Sequence, residues 1–482
     1  MAAYNSWNGI PMSIHPCLEE ITRKQWGNNG IICTDGGALK LLIEAHKSFP
    51  SFAEGAAAVV KATTGQFLDA YVPYVKEALE KGLLTEVDID KAIRGNIFVT
   101  LKLGLLDGDN SRNPYLSIGK NSTETPPFMT AEARRLAREV TAKSVVLLKN
   151  KKLLPLDAGK LRKIAVIGPY SDKIVQDWYS GTPPYETTIL SGIRNAVKEG
   201  TEIIHAEDNR MGQAEKAAAA ADVAIVCVGN HPYGTRADWK FSPVPSDGRE
   251  AVDRKSLMLP DEDLVKLVLK ANPNTILVLV SSFPYTINWS QEHVPAIVHI
   301  THCSQEQGNG LADVLFGKVN PAGRTVQTWV KDITDLPDIM DYDIRNGRTY
   351  MYHQGPVLYP FGYGLSYSDF TYEKIESVKQ DKKNIRVTVS VKNTSGRDGE
   401  EVVQLYASYP DSKVERPSKQ LRAFRRIPIK AGETRKVTLT VPKEELGYWN
   451  EGKQMFVVEP GTVKLLIGAS SEDIRLEGKI RL

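Results

Sequence analysis

Apolar and polar positions in the first 106 residues alternate with the periods of strands and helices in turn. The apolar stretch from Ile31 to Cys33 predicts a strand, and the pattern from Leu84 to Leu103 predicts an amphipathic helix. Such alternation is typical of βα units, but the stretch is too short for a closed barrel. A segment rich in proline, asparagine and threonine predicts a surface linker over residues 108–127.

Continuous apolar runs separated by helical patterns follow over residues 128–368. A helix is predicted from about Thr130 to Val146, and another from Asp261 to Ala271. Runs that are apolar throughout are typical of parallel strands with both faces covered by helices. The strand-like runs are KIAVIGP, ADVAIVCVGN, NTILVLVSS and AIVHITH. We therefore predict an α/β sandwich domain over this region.

After Tyr367 the apolar positions recur with a period of two, and turn residues separate the segments. The segments are IRVTVSVKNTSG, EEVVQLYASYP, TRKVTLTVP and GTVKLLIGAS. This pattern predicts an all-β sandwich over residues 369–482. The predicted fold class is therefore a multidomain α/β protein with an all-β domain at its end.

Composition narrows the possible ligands. The 482 residues include 61 Lys and Arg against 58 Asp and Glu, and this near balance predicts neither nucleic-acid binding nor binding to an anionic membrane. No apolar run approaches the roughly 20 residues that span a bilayer. The cysteines show no CxxC spacing and the histidines no metal-ligand spacing, so we predict buried free thiols, no metal and no cofactor. The cysteines are Cys17, Cys33, Cys227 and Cys303.

A carboxylate stands at the predicted strand-to-helix junction in GIICTDGGALKLL, at Asp35. One interpretation is a helix N-cap, in which the carboxylate accepts backbone N–H groups. The other is catalysis, because the carboxyl ends of strands in βα units face the ligand side. The sequence alone leaves both open.

The segment from Asn230 to Ser256 has no strand or helix period and is much longer than ordinary connections. Its Glu250 could be a surface partner of Arg249 or Arg254, or a catalytic acid. Two carboxylates in different domains would suit acid and nucleophile roles. Nucleotide binding is a further alternative, and it depends only on Gly168 after the strand KIAVI.

Several motifs together resemble glycoside hydrolase family 3, the β-glucosidase and β-xylosidase group. They are MAAYNSWNGIP, GIICTDGGA, SVVLLKN with LPL, EAVDRKSLMLP, NPAGRTVQTW and GRTYMYHQGPVLYPFGYGLSYSDFTY. The resemblance runs along essentially the whole chain. It implies a partial (β/α) barrel over residues 1–107, the α/β sandwich domain, and a fibronectin type III-like domain at the end. The implied function is a retaining β-glycoside hydrolase, a β-glucosidase, acting on β-glucosides or related oligosaccharides.

The resemblance also implies roles for individual residues. Asp35 in TDG matches the position of the family's nucleophile, and Glu250 in EAVDR matches its acid/base. Tyr4 matches a residue that contacts the sugar and steadies the nucleophile. Two departures stand out: Gly36 occupies a position where many members have an aromatic residue or cysteine, and Asp247 lies close to Glu250 as a rival acid.

The family barrel is expected to contain further strands before Tyr4, so we expect the chain to be a fragment, a truncated form or one part of a split enzyme with little activity alone. The open sheet edge would bind a second copy or a complementing barrel fragment. An alternative is a noncatalytic carbohydrate-binding or assembly portion of a split glycosidase. Periplasmic or extracellular location is expected for the full-length parent, and the exact sugar is left open.

Overall fold

A computed structural model divides the chain into two compact units, Met1–Glu124 and Thr125–Leu482. It describes residues 1–109, 111, 113–118, 120, 125–176, 179–231, 248, 254–302 and 304–482, apart from the side chain of Ser117.

The first unit is mainly helical around a small set of parallel chain segments. Its hairpin strands are β1 Ser6–Trp7 and β2 Ile10–Pro11, and its α-helices are α1 Ala38–Glu44, α2 Phe52–Lys61, α3 Val72–Glu80 and α4 Glu86–Lys102. Short helical turns cover Met12–Ile14 and Pro114–Ser117, and a π-helix covers Leu18–Gln25. Single parallel bridges join Ala2 to Thr34 and Cys33 to Gln66. The described residues of this unit form parallel segments with helices and no closed barrel.

Local chemistry explains where the longest helix of this unit begins. Thr85 caps α4: its Oγ1 accepts the Asp88 N–H at 3.3 Å, and Asp88 Oδ2 accepts the Thr85 N–H at 2.9 Å. This reciprocal capping box satisfies backbone donors that the helix leaves unpaired. The helix predicted over Leu84 to Leu103 is thereby confirmed.

The second unit contains a six-stranded sheet with the order β3-β8-β7-β6-β4-β5. Its strands are β3 Val146–Asn150, β4 Lys163–Ile167, β5 Glu202–Ala206, β6 Val223–Gly229, β7 Thr275–Val280 and β8 Ala296–Ile300. All neighbouring pairs are parallel except β3 with β8. The α-helices are α5 Ala131–Ser144, α6 Ile189–Ala196, α7 Gln213–Ala219, α8 Glu262–Ala271, α9 Asn288–His293, α10 Gln307–Leu315 and α11 Thr349–Tyr352.

Apolar clusters cover both faces of this sheet, which is why its central strands are apolar throughout. Helices α6 and α10 approach closely because glycines face each other. A Cβ added to Gly308 would lie 1.8 Å from the Thr188 carbonyl oxygen, so no larger residue fits there without movement.

The end of the chain forms the predicted β-sandwich. One sheet has the order β11-β12-β15 and the other β14-β13-β18-β19. The strands are β11 Phe370–Gln380, β12 Asn384–Asn393, β13 Gly399–Ser408, β14 Gln420–Ile429, β15 Thr434–Pro442, β18 Thr462–Gly468 and β19 Ile474–Arg481. Two small hairpins pair β9 Trp329–Val330 with β10 Val357–Tyr359, and β16 Tyr448–Asn450 with β17 Met455–Val457. In β12, the alternate residues Ile385, Val387 and Val389 are fully buried in the sandwich core.

The predicted fold class is confirmed, with an α/β sheet domain followed by an all-β sandwich. In the described ranges, no helix has the length and apolar character needed to cross a membrane. The cysteine prediction is partly wrong: Cys17, Cys33 and Cys227 are free thiols, but only Cys227 is buried. Cys303 lies outside the described residues.

Candidate active site

Three chain segments end side by side in the first unit. The Ala2 N–H donates to the Cys33 carbonyl at 2.8 Å, and the Thr34 N–H donates to the Gln66 carbonyl at 3.0 Å. Because the segments are parallel, their carboxyl ends meet at one edge. Tyr4, Asp35 and Asp69 follow these three ends along the chain. The fold thus brings three groups with polar side chains to the edge where catalytic residues gather.

Asp35 leaves the middle segment just after the fully buried Thr34 and is itself partly exposed. Its Oδ1 accepts the Gly36 N–H at 2.8 Å. Within the described part of the chain, Oδ2 accepts no hydrogen bond. One carboxylate oxygen of Asp35 is therefore held while the other is open to react.

The N-cap interpretation of Asp35 is wrong. Helix α1 begins at Ala38, and its N-cap is Gly37, whose φ of 78° lies in the left-handed region that glycine adopts without strain. Gly36 and Gly37 separate Asp35 from the helix, so its carboxylate does not reach the first helical N–H groups. The capping acceptor comes instead from another segment, at Asp69.

The Asp69 carboxylate accepts two backbone N–H groups at the start of α1. Oδ1 accepts the Gly37 N–H, and Oδ2 accepts the Leu39 N–H at 3.3 Å. Burial and the Asp69 charge both raise the pKa of the buried Tyr71. The sequence analysis misses Asp69 because the segment before it contains no apolar run. This segment pairs with its neighbour through one isolated bridge, at Gln66. The signal that could have found it is a carboxylate three residues before Val72, the first residue of the next helix.

The Tyr4 hydroxyl donates to the Gly36 carbonyl oxygen, and the Tyr4 side chain is 40% exposed. The Tyr4 backbone carbonyl lies 2.9 Å from His46 Nε2, and His46 Nδ1 lies 3.4 Å from Ser6 Oγ. The loop carrying Tyr4 is thus tied both to the turn after Asp35 and to the end of α1.

Glu250 and its rival Asp247 lie outside the described residues. Gly248 and Arg254, which lie near them in sequence, are described. A Cβ added to Gly248 would lie 2.2 Å from the Phe283 ring, and the Arg254 guanidinium lies 3.7 Å from the centroid of the same ring. Arg254 also donates to the Pro284 carbonyl at 3.2 Å. Gly248 and Arg254 therefore both lie against the part of the chain that follows β7.

Two histidines lie at the carboxyl end of the sheet in the second unit. His302 Nε2 lies 2.8 Å from the Asn230 carbonyl oxygen, directly after β6. Burial, with smaller effects of His302 and Lys173, lowers the pKa of His231 to about 4. The His231 imidazole is therefore neutral at ordinary pH.

The described residues contain no group of three or more His, Cys, Asp or Glu that could hold a metal ion. Gly168, the basis of the nucleotide alternative, has a packing explanation. A Cβ at this position would lie 2.3 Å from the Cys227 carbonyl oxygen, and φ is +109°. The close approach of backbone from β6 therefore requires glycine there, and a phosphate is not needed to explain it.

Comparisons with known proteins show which family this chain resembles. Residues 145–367 match the model of the glycosyl hydrolase family 3 C-terminal domain, and residues 401–471 match the fibronectin type III-like domain. The chain is similar to a periplasmic beta-glucosidase of Salmonella typhimurium, with 30% identity over 98% of this chain and 66% of the relative. It is also similar to beta-D-xylosidase 1 of Arabidopsis thaliana, with 30% identity over 100% of this chain and 66% of the relative.

Among solved structures, a β-glucosidase from Erythrobacter marinus superposes with a TM-score of 0.81 and 26% identity. The superposition covers 98% of this chain and 66% of that chain. The chain therefore spans about two thirds of the length of the relatives described here.

Proposed function

The chain belongs to glycosyl hydrolase family 3, and on that premise we propose that it carries the catalytic carboxylates of a retaining β-glycoside hydrolase, a β-glucosidase. The observation that supports this most is the position of Asp35. Its carboxylate follows the middle of three parallel segments, with one oxygen held by Gly36 and Tyr4 bound to the same turn. We assign the domains as a partial barrel over 1–107, a linker over 108–127, the α/β sandwich over 128–368 and the fibronectin type III-like domain over 369–482.

In the proposed reaction, the Asp35 carboxylate attacks the anomeric carbon while Glu250 gives its proton to the departing glycosidic oxygen. The sugar is then joined to Asp35 through an ester bond. Water attacks the same carbon, Glu250 takes the proton of that water, and the Asp35 carboxylate is released. Tyr4 contacts the sugar and holds the turn that carries Asp35. The reaction needs no cofactor.

Relatives named as a periplasmic beta-glucosidase and as a beta-D-xylosidase support a terminal β-linked glucose or a related sugar as the substrate. The first of these names also supports a periplasmic or extracellular location.

A slow fluorinated β-glucoside that traps the glycosyl-enzyme tests the proposal directly. The purified chain is incubated with this reagent alone, and again after mixing with the portion of the Salmonella typhimurium relative that this chain does not cover. Peptide mass spectrometry then locates the added sugar. We expect the sugar on Asp35, and none in the Asp35→Asn variant.

Labelling of Asp35 in either preparation supports a retaining hydrolase. Steady turnover by the chain alone would show that the expectation of low activity without a barrel partner is wrong. Absence of label from Asp35 in both preparations would overturn the proposed function and favour the noncatalytic alternative.

A further inference from the structure

The peptide group between Gly36 and Gly37 is held from both sides. Its carbonyl oxygen, which belongs to Gly36, accepts the Tyr4 hydroxyl. Its N–H, which belongs to Gly37, donates to Asp69 Oδ1. The donor and the acceptor come from the segments on either side of the one that carries Asp35. The orientation of this single peptide group is therefore fixed by both neighbouring segments.

This peptide group is adjacent to the one that holds Asp35. The Gly36 N–H donates to Asp35 Oδ1, and the carbonyl oxygen of the same residue accepts the Tyr4 hydroxyl. Two consecutive glycines make the turn intrinsically flexible, and Gly37 adopts a left-handed conformation. Without outside contacts, the backbone dihedral angles of both glycines would vary, and the direction of the Gly36 N–H and of the Asp35 carboxylate bound to it would vary with them.

We propose that Asp69 is a positioning residue for Asp35. This inference rests on the proposed function, because it assigns Asp69 a role in presenting the nucleophile. Asp69 does not touch the reacting atoms. It fixes the Gly37 and Leu39 N–H groups, and through them the turn that aims the Asp35 carboxylate. Small errors in the aim of a reacting group can lower its rate by about 100-fold.

The same contacts would also stabilise helix α1, so the experiment must separate positioning from ordinary capping. Asp88 supplies the matched control. It accepts a backbone N–H at the start of α4 in the same unit, and none of its hydrogen bonds involves the turn after Asp35. Asp69→Ala and Asp88→Ala should therefore destabilise the chain to a similar extent, and only the first should alter the chemistry.

The kinetic measurement uses an activated aryl β-glucoside and whichever preparation turns over, the chain alone or the chain with the added portion of the relative. We expect Asp69→Ala to lower kcat by about 100-fold with KM changed less than about twofold. Asp69→Asn keeps one carbonyl oxygen as an acceptor, so its kcat should lie between those of Asp69→Ala and the unmodified chain. Asp88→Ala should keep the kcat of the unmodified chain.

Hydrogen exchange of the Gly37 and Leu39 amides provides a measurement that needs no turnover. We expect Asp69→Ala to speed this exchange at least about tenfold over that in Asp88→Ala. Unchanged exchange would overturn the inference even for a variant with low activity. The inference would also be overturned if Asp69→Ala showed faster exchange but the same kcat as Asp88→Ala, since Asp69 would then act only as a helix cap. If Asp35 is never labelled, the proposed function fails first, and the positioning role of Asp69 fails with it.

Discussion

Arg324 and Glu401 form a buried ion pair between the α/β sandwich and the β-sandwich of the second unit. Arg324 Nη2 lies 2.9 Å from Glu401 Oε2, and the side chains are 9% and 3% exposed. Tyr372 adds a hydrogen bond by donating its hydroxyl to Glu401 Oε1 at 2.9 Å. Burial, followed by the Glu401 charge, raises the pKa of Tyr372 well above its ordinary value, so this hydroxyl keeps its proton. Arg324, Glu401 and Tyr372 thus form a buried polar network between the α/β sandwich and the β-sandwich.

Removing one member of this pair should strongly destabilise the second unit. Glu401→Ala leaves the Arg324 guanidinium buried without its carboxylate, and breaking a buried pair in this way costs about 3 to 5 kcal/mol. Glu401→Gln keeps the shape and an acceptor oxygen, so its loss should be smaller. Urea unfolding followed by circular dichroism measures both.

The adjacent residue Glu400 is a matched control. Glu400 lies on β13 beside Glu401 and forms an ion pair with Arg426 of the neighbouring strand β14. The side chains of Glu400 and Arg426 are 29% and 24% exposed. Water screens such a pair, and its loss in Glu400→Ala should lower the free energy of unfolding by about 1 kcal/mol or less. Equal losses at the two positions would contradict the special role of Glu401.

The sequence predicts the four interior strands of the large sheet because burial on both faces produces continuous apolar runs, but it misses the edge strands β3 and β5. β6 and β7 are buried at every position, so each appears as one continuous apolar run. In the β-sandwich the sequence predicts β12, β13, β15 and β18, and burial alternates along β12 as the period of two requires; it misses the edge strands β11, β14 and β19. A strand buried on both faces is apolar throughout, and a strand buried on one face alternates between apolar and polar residues, as these strands show.

The candidate site was predicted less completely, for a physical reason. Asp35 follows an apolar run, so the sequence identifies it as a candidate, with catalysis and helix capping as its two possible roles. Asp69 follows a segment that makes only a single bridge through Gln66, which leaves no periodic pattern. Contacts between segments far apart in sequence give it its role, and a local pattern carries no such information. Glu250 depends on the resemblance alone and stays a prediction.

His299 should make the second unit less stable in mild acid. Burial lowers its pKa to about 4, and its Nε2 lies 3.1 Å from both the carbonyl and the hydroxyl oxygen of Ser281. An unfolded histidine titrates near 6.5, so between that pH and about 4 the unfolded chain binds a proton that the folded chain excludes. Stability contributed by neutral His299 is therefore present above pH 6.5 and is lost as the pH falls.

We expect this residue to account for a loss of about 1 to 2 kcal/mol between pH 7 and pH 5. Urea unfolding of the chain and of His299→Gln at both pH values measures the difference. His293→Gln, at an exposed histidine of the same unit, serves as the control. If His299→Gln keeps the full pH dependence of the unmodified chain, another group is responsible.

Tyr4→Phe should lower activity through the loss of one hydroxyl. The aromatic ring remains, but the donor to the Gly36 carbonyl is removed. The loss of a hydrogen bond of about 1 kcal/mol corresponds to roughly a fivefold decrease in kcat if the turn is less well held. Steady-state kinetics on an aryl β-glucoside measures this. Tyr115→Phe changes an exposed tyrosine of the same unit and should have no effect, so equal decreases would argue against the role of the hydroxyl.

Replacement of Glu250 should affect substrates according to their leaving groups. Glu250→Gln removes the proton that a poor leaving group needs, whereas a dinitrophenol departs without it. We therefore expect a far smaller decrease in kcat for the dinitrophenyl glucoside than for the methyl glucoside or a disaccharide. Asp247→Asn tests the rival acid in the same assay. Equal decreases on both substrate types would argue against Glu250 as the acid.

A side chain at Gly36 should leave the stability of the chain unchanged, whereas a side chain at Gly37 should lower it. A Cβ added to Gly36 meets no atom within 4 Å, and its φ lies outside the left-handed region. Gly37 has equal space, but its φ is +78°, so Gly37→Ala should destabilise the chain by about 1 kcal/mol through backbone strain alone. We expect Gly36→Trp to leave the melting temperature unchanged.

The altered property should be substrate binding, because the new indole would stand directly beside Asp35 at the exposed end of the segment. We expect Gly36→Trp to change KM for disaccharides more than for aryl glucosides, since only the former place a second sugar next to the departing oxygen. Thermal unfolding and steady-state kinetics of Gly36→Trp, Gly36→Ala and Gly37→Ala separate the two effects. A large drop in melting temperature for Gly36→Ala would show that the space beside Asp35 is occupied and that this glycine is required by the fold.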